Sequence, residues 1–154
     1  MSPPHPSNRL DTLYMAELKE AAKRFRLACE SVHLEGLVRF MGQFPHGCCG
    51  DASMILGQHL HDQGFGTFTY VCGWKRNPAT GYKSHAWIQK DGLIIDITAD
   101  QFARVKSKVL VTTRSVWHDG WHVDANSHDA LFLCWPQERS VRLLDAVLSK
   151  LKTF

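Results

Sequence analysis

Ser84-His85-Ala86-Trp87-Ile88-Gln89-Lys90-Asp91-Gly92-Leu93-Ile94-Ile95-Asp96-Ile97-Thr98 is the stretch whose reading decides the fold. Asp-Gly between two β-branched and aromatic runs is a strong short-range hairpin signal. With Asp91-Gly92 as a two-residue turn, Lys90 pairs with Leu93 and Trp87 pairs with Asp96. Residues opposed across a hairpin share a face, and His85 stands two positions from Trp87, so His85 and Asp96 become diagonal neighbours. Ala86, Ile88, Ile95 and Ile97 then fill the opposite face, which accounts for an aspartate in an isoleucine-rich strand. A longer turn would shift this pairing and leave Asp100 as a competing acid.

Upstream, Gly47-Cys48-Cys49-Gly50-Asp51-Ala52-Ser53-Met54-Ile55-Leu56 opens a helix. Pro45 and Gly47 break any preceding helix, while Ala52, Ile55, Leu56 and Leu60 recur at helical spacing, which predicts a helix start at about Cys49. A thiol there meets unpaired N–H groups and the positive end of the helix dipole, and both favour the reactive thiolate. Asp51 suits the first turn for the same electrostatic reason. Taken alone, Cys48 and Cys49 read as small residues packed at a tight turn.

Before this run, Met15, Leu18, Ala22, Phe25, Cys29 and Val32 alternate at spacings of three and four, which predicts an amphipathic helix over 11–32 with Cys29 a packed thiol. Leu37-Val38-Arg39-Phe40-Met41 reads as a helix end or turn leading to the cysteine. After Gly64 and Gly66, Thr67 to Cys72 reads as a strand, and 73–84, with Asn77, Pro78 and Gly81, as a loop that could act as a lid. Trp74, Tyr82 and Trp87 are the candidate substrate-facing aromatics. Strands are expected at 109–112 and 131–135, separated by a polar stretch whose His118, His122 and His128 belong to loops or surface. An amphipathic docking helix closes the chain, with Val141, Leu144, Leu148 and Leu151 on its stripe.

A chain of 154 residues with 44% hydrophobic residues and a net charge of +3 is an ordinary globular mix, enough for one domain over 1–154 with a disordered head at 1–9. Lys and Arg are dispersed among Asp and Glu, so nothing marks a nucleic-acid surface. No stretch approaches the roughly 18 apolar residues a membrane span needs. Five cysteines are an odd number without the dense spacing of a disulfide framework. These features predict a cytoplasmic protein, though secretion without a signal, as a delivered effector, is compatible with them.

A cysteine at a helix start, a histidine in a strand and an aspartate in the next strand meet the needs of thiol catalysis. Histidine takes the thiol proton, the thiolate attacks an acyl carbon, and the carboxylate holds the imidazole. The Cys49 backbone N–H and the side chain of Gln43 are candidate oxyanion donors.

Gly47-Cys48-Cys49-Gly50-Asp51, the strand ending Val71-Cys72-Gly73, His85-Ala86-Trp87-Ile88 and Asp96-Ile97-Thr98 resemble the core of the transglutaminase-like branch of papain-like thiol enzymes. The resemblance covers 43–98 and implies Cys49 as nucleophile, His85 as base and Asp96 as orienting acid. Gln43 stands six residues before Cys49, the spacing of a papain-like oxyanion glutamine. The fold implied is α+β: N-terminal helices, the central one starting at the nucleophilic cysteine, packed on an antiparallel sheet, with a C-terminal amphipathic helix. The activity implied is cleavage of an amide in a protein or peptide substrate (peptidase, amidase or glutamine deamidase), or acyl transfer to an amine acceptor. No cofactor and no metal are implied.

Two rival readings belong to other classes. One is a zinc-binding module built from His46, Cys48, Cys49, His59 and His61, or from His118 and His122. No Cys-x-x-Cys pair exists, and Gly120 makes 118–122 a poor helix, which weighs against it. The other is a non-catalytic scaffold with the same fold.

Overall fold

The computed structural model of the chain describes residues 6–35, 43–134 and 138–154. Helix α1 spans Pro6–Glu35. Proline suits a first helical position because its fixed φ is helical and its missing N–H has no partner to lose. Residues 6–9 therefore belong to a helix and not to the head expected for 1–9. Leu18, Ala22, Phe25, Cys29 and Val32 are fully buried, as their spacing predicts, and Ala28 and Arg26 widen the stripe. The apolar segment 37–41 lies outside the described residues.

Helix α2, Cys49–Asp62, follows a turn at 43–47 in which Gly47 has φ +71°. Ile55, Leu56 and Leu60 are buried against α1 and the sheet. At roughly 1.5–3 kcal/mol per large apolar side chain, this burial fixes the helix axis and with it the position of its first residue.

The sheet is antiparallel throughout, built from β1 (Thr69–Asn77), β2 (Gly81–Lys90), β3 (Leu93–Asp96), β4 (Leu110–Thr112), β5 (His122–Val123) and β6 (His128–Asp129). Its order is β4-β3-β2-β1-β5, with β6 also pairing to β1. Lys90 pairs with Leu93, Gln89 with Ile94 and Ile88 with Ile95, the register of a two-residue turn. Asp91 (φ 50°) and Gly92 (φ +79°) both take the left-handed conformation such a turn demands.

Two expectations are corrected here. Residues 73–84 are not a lid loop. β1 and β2 run on as a long hairpin, turned where Asn77 Oδ1 accepts the N–H of Ala79 at 2.9 Å and Gly81 adopts φ +91°. Pro78 and Asn77 signal a turn, but only this short segment needed to be one. Residues 131–134 are not a strand. They form a bend and a turn, the N–H of Cys134 donating to Leu131 O at 3.0 Å, because the neighbouring edge of β1 is already taken by β6.

Helix α4, Glu138–Leu151, packs on α1 and α2. Its buried residues are Ser140, Leu143, Leu144 and Val147, so the stripe is rotated from the one expected: Val141 is exposed, and Leu148 and Leu151 are only partly buried.

The sheet has two unlike faces. Phe68, Ile88, Ile95 and Ile97 join the helices in the main core, while Val71 and Trp87 gather Trp121, Ile94, Phe102 and Trp117 into a second, aromatic cluster. No helix among the described residues is long and apolar enough to cross a membrane.

Candidate active site

The site lies where β3 ends and α2 begins. Cys48, the residue before the helix, is buried in the main core, and its Sγ donates to His46 O at 3.3 Å. Burial pushes its thiol up to about 11, with Asp51 and Cys49 adding to the rise. Cys49, the first residue of α2, is half-buried and lies close enough to His85 to feel the charge of its ring. Burial pushes this thiol up as well. The neighbouring His85 with the charge on its ring, and the N–H groups of Ala86 and Gly50, outweigh that, and the thiol is held below its ordinary value.

His85 has no exposed surface. Its Nε2 donates to Asp96 Oδ2 at 2.6 Å, and its other nitrogen, Nδ1, lies 3.3 Å from Gln101 Nε2. Burial disfavours the charged ring, but the bond to Asp96 and the neighbouring Cys49 raise it to about 9. Phe102, Trp117, Trp121 and Trp87 surround the imidazole at 5.2–5.9 Å between ring centres. Gly73 is its partner across the hairpin, and a Cβ there would lie 2.8 Å from Trp121 Cβ. Glycine is what lets Trp121 close over the strand beside His85.

Asp96 is 2% exposed and fully engaged. Besides His85, its Oδ2 accepts from His118 Nε2 at 2.8 Å, and its Oδ1 accepts the N–H of Thr98 at 3.0 Å. Burial would raise the carboxyl, yet the donors His118 and His85, the charge of His85 and Thr98 N–H bring it down to about 2. His118 is thus not a surface or loop histidine as expected. It is 3% exposed in the short helix α3, Val116–Asp119, with Ser115 Oγ 2.5 Å from its Nδ1.

Asp100, the competing acid, is committed elsewhere. Arg26, buried in α1, donates to both of its oxygens at 2.6 and 2.9 Å and to Ile97 O at 2.6 Å. One guanidinium thereby ties the segment after Asp96 to the first helix. Asp51 pairs with Arg139 of α4.

Gln43 is exposed in the turn 43–47, where its carbonyl accepts the N–H of His46 at 2.7 Å. The amide that reaches His85 is that of Gln101, which also donates to Thr98 O at 3.1 Å and accepts the N–H of Gly47 at 3.4 Å. It bridges the cysteine turn and the histidine strand. Trp74 and Tyr82 are exposed and meet edge-on at 5.5 Å, Trp74 also stacking on His122, whereas Trp87 is buried against His118. A pocket of about 710 Å³ opens beside the turn at 43–47, lined by Gly47, Gly50, Asp51, Tyr70, Cys72 and His128 among others.

Among the described residues, His85, Asp96 and His118 are the set whose donor atoms converge as metal ligands do, within 4.8 Å. Both imidazoles approach the carboxylate at hydrogen-bond length, and the three side chains form one hydrogen-bonded cluster. The histidine sets considered for zinc do not assemble: His59 stacks on Phe25, His61 meets Thr67, and His122 lies over Trp74 while His118 points inward.

His118, Gln101 and Arg26 escape a reading of the sequence. Ser115-x-x-His118 is a local capping signal, and Gln101 follows Thr98 by three, but neither spacing names its distant partner. No family model matches the chain, and no curated protein and no solved structure matches it either.

Proposed function

We propose that this protein is a thiol-dependent acyl-transfer enzyme of papain-like or transglutaminase-like type, and within that class a hydrolase of amide bonds in a protein or peptide. The observation that carries the reading is the environment of His85: fully buried, its Nε2 on Asp96 at 2.6 Å and its ring beside a Cys49 thiol held low at the head of α2. A packing histidine needs neither partner.

In this reading the Cys49 thiolate attacks the carbonyl carbon of the amide and forms a C–S bond. The oxyanion is met by N–H groups at the helix start. His85 gives its proton to the departing nitrogen, the C–N bond breaks, and a thioester remains. His85, now neutral, takes a proton from water as the oxygen attacks the thioester, and the acid leaves with Cys49 restored. Asp96 holds the imidazole in one orientation and balances its positive charge. With an amine in place of water, the same steps make a transferase.

The test is the pH dependence of Cys49 alkylation by iodoacetamide, located by peptide mass spectrometry. Rapid labelling persisting well below the ordinary thiol value of about 8.5, and lost in His85→Ala, is the expected result. Labelling no faster than that of an ordinary thiol and unchanged in the variant rejects the reading in favour of a scaffold. Elemental analysis of the purified protein tests the zinc alternative.

A further inference from the structure

Asp96 divides a single oxygen between two imidazoles. Its Oδ2 accepts from His85 at 2.6 Å and from His118 at 2.8 Å, while Oδ1 is taken by Thr98 N–H. His118 is held for this contact. Ser115 caps α3, accepting the N–H of His118 at 3.2 Å, and its hydroxyl also meets the ring at Nδ1. With the hydroxyl on Nδ1, the ring N–H at Nε2 points at the carboxylate. The ring stands edge-on to Trp87 and Trp117 at 4.9 and 4.8 Å. An apolar side chain would fill that space without the cost of burying a polar one.

We propose that His118 is a positioning residue that sets the basicity of His85 by drawing on the oxygen of Asp96 that they share. The proposal rests on the reading of Cys49 and His85 as a catalytic pair. A carboxylate that serves one imidazole alone pulls on its proton with its full charge. A second donor on the same lone-pair region weakens that pull and also keeps the carboxylate from rotating. His85 then remains basic enough to take the thiol proton and acidic enough to return it to a leaving nitrogen.

Among the described residues, the titratable and charged groups near His85 are few. Cys49 approaches from α2, Asp96 from β3 and His118 from α3. Lys75 and Lys83 of β1 and β2 sit beyond the aromatic rings, over Trp121 at 4.5 and 5.8 Å. Asp100 is occupied by Arg26. Of these, His118 is the one that acts through Asp96.

The experiment is the alkylation profile of Cys49 from pH 4 to 10 in wild type, His118→Leu, His118→Gln and Ser115→Ala. The profile of a thiolate–imidazolium pair has a lower step, where the thiolate forms, and an upper step, where His85 loses its proton. In His118→Leu the upper step is expected to rise by about 0.5–1 pH unit, the size of one hydrogen bond to a carboxylate, with the lower step in place. His118→Gln, whose amide N–H reaches the same oxygen, returns the step to its wild-type position. Ser115→Ala keeps the imidazole but frees it, and shifts the step upward by less. A role in packing alone moves the melting temperature and leaves the upper step where it was. An upper step unmoved, or moved downward, in both His118→Leu and Ser115→Ala overturns the proposal. Should His118→Leu fail to fold, Ser115→Ala and the ¹⁵N-histidine spectrum of the wild type decide: a proton on His118 Nε2 is expected, and its absence overturns the proposal. A wild-type profile with no step below the ordinary thiol value rejects the catalytic pair itself, which is a different outcome from a stepped profile indifferent to His118.

Discussion

Cys48 and Cys49 are adjacent in sequence and opposite in environment: one thiol is sealed in the core and pushed up by burial, the other opens the helix and is held low beside His85. A helix start separates them. Cys48 precedes α2 and turns toward the main core, while Cys49 is the first residue of the helix and turns toward His85 and Ala86 of β2. Their chemistry follows from this difference of one position.

The two cysteines are therefore expected to respond differently to the same substitution. Cys49→Ala removes the rapidly alkylated thiol at pH 6 and leaves the fold intact by circular dichroism. Cys48→Ala keeps rapid labelling at Cys49 and costs on the order of 1–2 kcal/mol in urea unfolding, through a small cavity in the core. Rapid labelling that follows Cys48 instead would place the nucleophile one residue earlier.

Acid stability carries the signature of Asp96. Its carboxyl lies at about 2 in the folded chain, below the ordinary value of about 3.9. A depressed acid stabilises the fold above its unfolded value, and that contribution is lost as pH falls through the folded value. Wild type is therefore expected to lose more stability between pH 5 and pH 2.5 than Asp96→Asn, measured by urea unfolding at both. Equal slopes would mean that the carboxylate is not held as the geometry implies.

Arg26 joins α1 to the segment behind the acid, bonding Ile97 O and both oxygens of Asp100. Arg26→Met leaves Asp100 and the Ile97 carbonyl without their donor. A loss of about 3 kcal/mol is expected, seen as a Tm lowered by roughly 6–12 °C. A change within 1 °C would show that the network adds nothing to stability.

Gln101 spans from Gly47 N–H to His85. Gln101→Leu removes both contacts and is expected to slow Cys49 alkylation at pH 6 by about 10- to 100-fold through loss of alignment, with little change in Tm. Gln43→Leu is the matched control for the glutamine that the resemblance singles out. If it slows the reaction more than Gln101→Leu does, the turn at 43–47 rearranges on binding.

Much of this was legible in the sequence because it is local. The Asp91-Gly92 turn fixes the pairing of β2 with β3, since only residues that accept positive φ close a two-residue loop in that way. A period of two then puts His85 and Asp96 on one face, and a period of 3.6 with Gly47 ahead of it starts a helix at Cys49. Turn chemistry and periodicity act over a few residues and so are written in adjacent letters. Where the signal was spread wider it misled: Asn77, Pro78 and Gly81 mark a tight turn, and two strands run up to it where a loop was expected.

What only the tertiary structure decided is which distant groups share a buried charge. His118 stands 22 positions from Asp96 and Arg26 stands 74 from Asp100, and no spacing rule spans such gaps. In both cases a carboxylate removed from water must find donors, and packing determines which donors are within reach. The sequence therefore determined the local frame, with a thiol at a helix start and a histidine and an aspartate on one sheet face. The packing of α1 and α3 against the ends of that sheet decided that Asp96 answers to two histidines and Asp100 to none, because desolvation makes every buried charge depend on whatever the fold brings beside it.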